Sequence, residues 1–174
     1  MVDINKSSFK TKIGVMYYLW KHKNGKIIVL FMGIGEKNFR KFVESIKHNF
    51  RGSDKVSIID KKSKDIESKI TGYLGGRIKN LNFGTEFLNG TRFKRDIWNS
   101  VVSVPYGKTI SYKKLAGKAG YRKAWRATGS ALRKNPIILV VPCHRVIKEN
   151  GSISGFEAGK NVKKFLLDLE KRNS

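Results

Sequence analysis

Acidic residues are scarce in this sequence. Thirteen Asp and Glu face 37 Lys and Arg, a formal net charge of +24 over 174 residues. Charge enrichment for thermal stability usually adds Glu together with Lys so that the two pair, and the missing acids argue against it. The deficit is also local: no acid stands between Asp96 and Glu149, whereas eleven Lys and Arg run from Lys108 to Lys148. A stripe of one sign that long favours nucleic acid or an anionic membrane over a merely solvated face. Long apolar runs are missing as well. None approaches the ~20 residues of a membrane span, and the N-terminus, with Asp3 and scattered Lys, lacks the apolar core of a secretory signal. The membrane alternative weakens accordingly.

Cysteine is nearly absent. Cys143 alone cannot form an internal disulfide, and with three separated histidines, His22, His48 and His144, it offers no metal-ligand cluster. The expectation is a reducing, cytoplasmic location, no structural zinc, and no metal or cofactor.

What is present suffices for a core. Apolar residues make up 40% of the chain, and the length suits one ordinary domain or two small ones. Ile13 to Trp20 and Ile27 to Phe31 flank Lys23-Asn24-Gly25, a hairpin signal. Phe39, Phe42, Val43, Ile46 and Phe50 recur at helical spacing from Glu36 to Phe50, and Val56 to Ile59 reads as a strand. Ile66, Ile70, Tyr73 and Leu74 suggest a helix stopped by Gly75-Gly76. This first part reads as a small α/β scaffold without a catalytic constellation, and the domain boundary falls near Asn89, giving residues 1–88 and 89–174.

Beyond it, Thr91 is placed to cap a helix carrying Phe93, Ile97, Trp98, Val101 and Val102, closed by Val104-Pro105-Tyr106-Gly107. Ser111 caps a short helix with Leu115 and Ala116, Gly117 to Gly120 supply a turn, and a second helix is expected from Arg122 to Lys134, ended by Asn135-Pro136. Two short helices with a glycine-containing turn make a helix-turn-helix pattern. The small residues Ala124, Ala127, Gly129, Ser130 and Ala131 serve either close packing or approach to a sugar-phosphate backbone. Beside Arg122, Lys123, Arg126, Arg133 and Lys134 they favour DNA. The apolar run Ile137 to Val141 must be buried, and it delivers Pro142-Cys143-His144-Arg145. A last helix, Gly159 to Lys171, presents Val162, Phe165, Leu166 and Leu169 on one face, with Glu170 at its edge.

A lone intracellular cysteine is commonly just a small buried hydrophobe. Here the adjacent His144 and Arg145, in a strongly basic region, are expected to favour the reactive thiolate, whose unperturbed pKa is near 8.5. His144 would act as base and needs a third group to hold its tautomer. Glu170 is the best candidate among the five acids of the C-terminal part, Asp96, Glu149, Glu157, Asp168 and Glu170. A Cys–His pair suits acyl transfer and equally suits displacement at an alkyl carbon, and composition does not choose between them. An approach beside a helix-turn-helix argues for a substrate embedded in DNA.

From Gly84 to Glu170 the chain closely resembles the O6-alkylguanine-DNA alkyltransferases, or methylated-DNA–protein-cysteine methyltransferases. The shared motifs are Val104-Pro105-Tyr106-Gly107 with Ser111-Tyr112, Arg126-Ala127-Thr128-Gly129 with Asn135-Pro136, and Pro142-Cys143-His144-Arg145-Val146, followed by Gly151 and by Lys163, Leu166, Leu167 and Glu170. The resemblance implies an α+β fold: a small N-terminal ribonuclease-H-like α/β domain, then a mainly helical, winged-helix-like C-terminal domain with a helix-turn-helix. It implies a single-turnover repair enzyme that binds double-stranded DNA through the minor groove as a monomer, with cooperative binding left open. It flips out O6-alkylguanine and moves the alkyl group onto Cys143; activity on O4-alkylthymine is left open.

By the same resemblance His144 is the base acting through a water, Glu170 orients it, Lys163 lies near the pocket, and Tyr112 turns the flanking phosphate and protonates the departing guanine. Arg126 fills the gap left by the flipped base. Ser111, Lys123, Ala127, Gly129 and Arg133 complete the DNA face. Pro142, Asn135, Val146, Phe156 and Glu157 belong to the substrate pocket, with the backbones of Cys143, Val146 and Glu157 at the guanine edge. Three positions depart from the usual pattern: Phe156 replaces a tyrosine, Glu157 a small residue and Thr128 a valine. The alternatives are a non-catalytic helix-turn-helix protein, an alkyltransferase-like lesion binder, which lacks the cysteine, and a thiol hydrolase, which would turn over an ester without DNA.

Overall fold

The structure, a computed structural model, describes residues 2–49 and 56–174. Three antiparallel strands begin the chain: β1 (Val2–Thr11), β2 (Gly14–Lys23) and β3 (Lys26–Ile34). At the expected hairpin, Asn24 has φ 51° and Gly25 φ 70°, the left-handed pair that a two-residue turn needs and that Asn-Gly tolerates best. Next come α1 (Glu36–Asn49), β4 (Val56–Asp60) running parallel beside β1, α2 (Lys64–Leu74), and β5 (Gly84–Thr85). They complete a five-stranded sheet of order β4-β1-β2-β3-β5. Phe50, expected at the end of the first helix, lies outside the described residues.

Strand alternation divides the apolar side chains between two layers. Leu19, Leu30 and Phe31 meet Ile4, Phe39 and Ile46 on the α1 side. Met16, Tyr18, Trp20, Val29 and Met32 face Ile66, Ile70 and Tyr73 of α2 and continue into the core of the C-terminal half as one cluster. Strand β1 was not anticipated. Only Ile4 among its described apolar side chains is deeply buried, and the strand is placed by ladder hydrogen bonds to β2 and β4 rather than by an apolar pattern.

The C-terminal half contains α3 (Arg92–Val102), β6 (Ile110–Ser111), α4 (Tyr112–Lys118), α5 (Trp125–Arg133), β7 (Val146–Ile147) and α6 (Lys160–Arg172). Thr91 and Ser111 cap α3 and α4, their hydroxyls accepting from Lys94 N and Lys114 N at 3.4 and 3.2 Å. Val102 of α3 is 49% exposed, and one expectation is corrected. Helix α5 starts at Trp125 rather than Arg122, because Tyr121 N bonds back to Ala116 O and Ala124 N to Tyr121 O, folding residues 121–124 into a turn.

The apolar run Ile137 to Val141 sits within the protein, with Ile137 and Val141 fully buried. It forms no extended strand. Met32 N donates to Pro136 O and Ile138 N to Met32 O, both at 2.8 Å, so the run is fastened to β3 before it turns towards Cys143.

Candidate active site

Cys143 opens a 3-10 turn, Cys143–Arg145, at the end of that run. Asn135, the residue that ends the segment after α5, shapes it. Its Oδ1 accepts from Ile137 N at 3.0 Å, and its Nδ2 donates to Val141 O at 2.9 Å and to Cys143 Sγ at 3.1 Å. Between these anchors Leu139 takes φ 69°. A left-handed conformation at a non-glycine residue costs on the order of 1–3 kcal/mol and persists only where surrounding contacts dictate it.

Beside the cysteine lies a buried charged cluster centred on Glu170. Glu170 Oε1 meets His144 Nε2 at 2.6 Å, and the Arg145 guanidinium reaches both carboxylate oxygens, with Nε 2.9 Å from Oε2 and Nη2 3.0 Å from Oε1. Gly107 N donates to Oε2 at 2.9 Å, and Arg145 Nη1 to Val104 O at 2.6 Å. The Tyr73 hydroxyl, from α2, also donates to Oε1. The Val104-Pro105-Tyr106-Gly107 motif is thus more than a helix stop. It cradles Arg145, whose guanidinium lies 5.7 Å from the Tyr106 ring centre. Gly107 has φ 72°, and a side chain there would collide with Ser174.

Hydrogen bonds from His144, Arg145 and Tyr73 outweigh the cost of burial and hold Glu170 down at about 2, so it is a carboxylate. His144 is lowered below its ordinary value because burial disfavours the imidazolium more than Glu170 favours it. Among the described residues its Nδ1 has no hydrogen-bond partner, so Nε2 faces the carboxylate and Nδ1 is the nitrogen left over.

The expected ionisation of the thiol is contradicted. Burial pushes Cys143 up to about 11, against smaller opposing effects of the Asn135 hydrogen bond and the Lys163 charge. The physical reason is where the neighbours point: Arg145 is engaged with Glu170 and Val104, and desolvation dominates what remains. Lys163 Nζ donates to Val146 O at 2.5 Å and lies 5.8 Å from the Tyr112 ring centre. Burial lowers Lys163 to about 8. The Val146 carbonyl therefore already carries one donor, with a second lone pair in reserve. Phe156 approaches the His144 ring edge-on at 6.3 Å. Glu157 is exposed overall, yet its carboxyl is desolvated enough to be pushed up to about 7. Pro142 is buried at the start of the turn.

An open groove of about 860 Å³ runs along α5, lined by Tyr112, Trp125, Arg126, Gly129, Arg133, Lys148 and Ser154 among others. Tyr112 Oη lies 2.5 Å from Ser154 Oγ. Gly129 lies against the Tyr112 ring, and a Cβ there would make ordinary contact with it at 3.6 Å. Lys123, Arg126, Ala127 and Arg133 are exposed, and Ser111 is half-buried with its hydroxyl already capping α4. Thr128 is buried, its hydroxyl satisfied by Ala124 O at 3.0 Å, which is how a polar residue fits at a buried position. Trp125, which sequence reasoning passed over, is 47% exposed and holds the Arg126 guanidinium 4.8 Å from its ring centre.

The structure therefore brings Cys143, His144, Glu170, Asn135, Val146 and Lys163 together and sets Arg126, Lys123 and Arg133 apart on an outer face. Missed were Tyr73, Gly107 and Val104. The last two lie in a motif whose role is visible only once Arg145 is seen reaching it. Among the described residues no group of three His, Cys, Asp or Glu could hold a metal ion.

Residues 92–172 match the DNA-binding domain of 6-O-methylguanine DNA methyltransferase. The inducible methylated-DNA–protein-cysteine methyltransferase of Bacillus subtilis is 40% identical over 146 residues, spanning 84% of this chain and 80% of the relative. A methylated-DNA–protein-cysteine methyltransferase of Methanosarcina acetivorans is 33% identical over 162 residues, 89% of this chain and 98% of the relative. Among solved structures, O6-methylguanine methyltransferase of Mycobacterium tuberculosis superposes with a TM-score of 0.79 at 25% identity, covering 98% of this chain and 94% of that one. The DNA complex of OGT from the same organism gives a TM-score of 0.76 at 25% identity, covering 99% and 95%.

Proposed function

The chain belongs to the methylated-DNA–protein-cysteine methyltransferase family, and from that membership and the geometry of the site we propose that it repairs DNA by direct reversal, taking the alkyl group of O6-alkylguanine onto Cys143. The observation that carries the reading is a buried thiol next in sequence to His144, whose Nε2 faces Glu170 and whose Nδ1 has no hydrogen-bond partner among the described residues, in the same half of the chain as a groove that Arg126, Arg133 and Lys148 help to line.

The steps follow from the residues. DNA meets the exposed cations of α5 through its minor groove, and the lesion base swings out of the stack. Flipping costs a few kcal/mol, and Arg126 offsets it by occupying the vacated place. His144 takes the Cys143 proton at Nδ1 through a water, while Glu170 accepts the Nε2 hydrogen and stabilises the imidazolium. The thiolate sulfur attacks the alkyl carbon, the S–C bond forms as the O6–C bond breaks, and the electron pair leaves on the guanine. Tyr112 supplies a proton to that guanine, and the proton taken up by His144 is given back through solvent as Tyr112 regains its own. The sum is thiol plus alkylguanine giving thioether plus guanine. Water has no leaving group to displace from a thioether, so each molecule acts once.

Burial of the thiol gives it a resting state. At neutral pH Cys143 is protonated and shielded from stray oxidants. It ionises when His144 takes its proton, assisted by the positive charge of Lys163.

The sheet, with antiparallel β1 to β3 and β4 returning parallel beside β1, supports a ribonuclease-H-like shape for residues 1–88. The α4–turn–α5 unit with the β6–β7 pair supports a winged-helix-like arrangement for residues 89–174. We assign a monomer acting beside the DNA inside the cell. Among the described residues no helix is long and apolar enough to cross a membrane.

The test is intact-mass measurement after mixing with duplex DNA containing O6-methylguanine. The expected result is one adduct of about 14 Da per molecule, a CH2 confined to Cys143. Repeated turnover by one molecule, or an adduct elsewhere, contradicts the reading.

A further inference from the structure

We propose that Tyr73, contributed by α2 in the N-terminal half, is a positioning residue of the alkyl-transfer centre, its hydroxyl fixing the Glu170 carboxylate in the place from which that carboxylate orients His144. The proposal rests on the function assigned above and deepens it.

Tyr73 and Glu170 are 97 residues apart in sequence, yet the phenol, 1% exposed, donates to Glu170 Oε1. The same hydroxyl lies 3.4 Å from His144 Nε2, and Nε2 lies 2.6 Å from Oε1, so hydroxyl, imidazole and carboxylate close a triangle. The other partners of Glu170 are distributed differently. Oε2 is pinned by Gly107 N at 2.9 Å and Arg145 Nε at 2.9 Å, whereas Oε1, the oxygen that His144 uses, has besides Tyr73 and His144 only Arg145, at 3.0 and 3.2 Å, among the described residues. Tyr73 therefore supplies the neutral donor that settles which lone pair of Oε1 remains for the imidazole. Burial and the adjacent carboxylate push the phenol far above its ordinary range, which keeps it a donor wherever the protein is folded.

A donor on Oε1 also draws charge from the carboxylate and so sets how strongly Glu170 stabilises the imidazolium. Removing it concentrates charge on Oε1 and raises the pKa of His144. The N-terminal half then contributes to the chemistry rather than only supporting the helical half. A purely structural role is the competing account, because the Tyr73 ring also packs edge-on against Tyr106 with centres 5.9 Å apart.

Tyr73→Phe keeps that packing and removes only the hydroxyl. Single-turnover alkylation of the full chain by methylated duplex is measured against pH for wild type, Tyr73→Phe, Glu170→Gln and the double variant. The expected result for Tyr73→Phe is a rate roughly three- to thirtyfold lower at unchanged DNA affinity, an acid limb moved to higher pH, and no further loss when combined with Glu170→Gln. An unchanged rate and profile overturns the proposal. So does a loss of the same factor in the Glu170→Gln background, or a lower Tm with the profile unmoved. Should Tyr73→Phe fail to fold, 3-fluorotyrosine at position 73, a stronger donor of nearly the same shape, moves the acid limb to lower pH if Tyr73 acts through Glu170; an unmoved limb overturns the idea. A wild-type chain that takes up no alkyl group removes the function and this proposal together, whereas a reactive wild type matched by Tyr73→Phe removes only the role of Tyr73.

Discussion

The floor around Cys143 and the outer face of α5 are both rich in cations, and they are built on opposite terms. On the floor, Arg145, His144 and Glu170 are buried and satisfy one another. On α5 and the turn before it, Lys123, Arg126 and Arg133 are exposed, and none forms an ion pair with an acid among the described residues. A buried charge needs its partner inside the fold, because the cost of leaving it unpaired is several kcal/mol. An exposed cation without an internal partner is free to meet an external anion. The net charge of +24 therefore says little about the floor, where the thiol is pushed up by burial rather than ionised by its basic neighbours.

This division of labour can be broken at either end. Cys143→Ser should produce the largest effect: alkyl transfer falls below detection by mass spectrometry, while a gel-shift assay shows DNA binding retained. Loss of both activities would mean that floor and face are not separable.

Glu170→Gln comes next. The expected result is alkylation slowed by roughly tenfold to a thousandfold, together with a destabilisation of about 3–5 kcal/mol from stranding Arg145 without its partner. The acid side carries a sign. Glu170 is held at about 2 against an ordinary 4.5, so its contribution to stability is fully present above pH 4.5 and is lost as pH falls through 4.5 towards 2. Chemical denaturation of wild type should show that loss, and the Gln variant should lack its share of it. An unmoved alkylation rate would make Glu170 merely a helix-end charge.

A smaller and smoother effect belongs to the face. If several of the eleven cations between Asp96 and Glu149 touch phosphates, log affinity should fall with log salt at a slope of roughly 3 to 5, about 0.9 per contact. A flat response, read by fluorescence anisotropy, would remove DNA as the partner of the stripe. Thr128→Val should do least, shifting stability by no more than about 1 kcal/mol, because among the described residues the hydroxyl serves only Ala124 O, at the cap of the same helix. A larger shift in thermal unfolding would show that Thr128 does more than this single bond accounts for.

How much of this was legible in the sequence follows the same division. The face was readable because its signals are local: small residues and cations on two adjacent short helices, and a stripe without acids. Glu170 was readable because so few acids compete with it. The turn at residues 121–124 was not, since Arg122, Lys123 and Ala124 suit a helix and are bent out of it by a hydrogen bond from Tyr121 N to Ala116 O. Nor was the state of the thiol, because burial arises from the packing of the whole core. Tyr73, Gly107 and Val104 act across sequence separations of 97, 63 and 41 residues, and no local pattern announces such contacts. Their types were visible as a helix-face aromatic and a turn motif, while their partners became visible only in the fold.

The separation of chemistry from DNA handling is tested most directly by Arg126→Ala, assayed in parallel on duplex DNA containing O6-methylguanine and on free O6-benzylguanine, which is already outside any stack. If Arg126, exposed on α5, fills the place of a flipped base, transfer from the duplex should slow by roughly tenfold to a thousandfold, one factor of ten for each 1.4 kcal/mol of uncompensated unstacking. Reaction with the free base should barely change. Equal losses on both substrates would place Arg126 in the pocket or the fold, and an unchanged duplex rate would show that it takes no part in flipping.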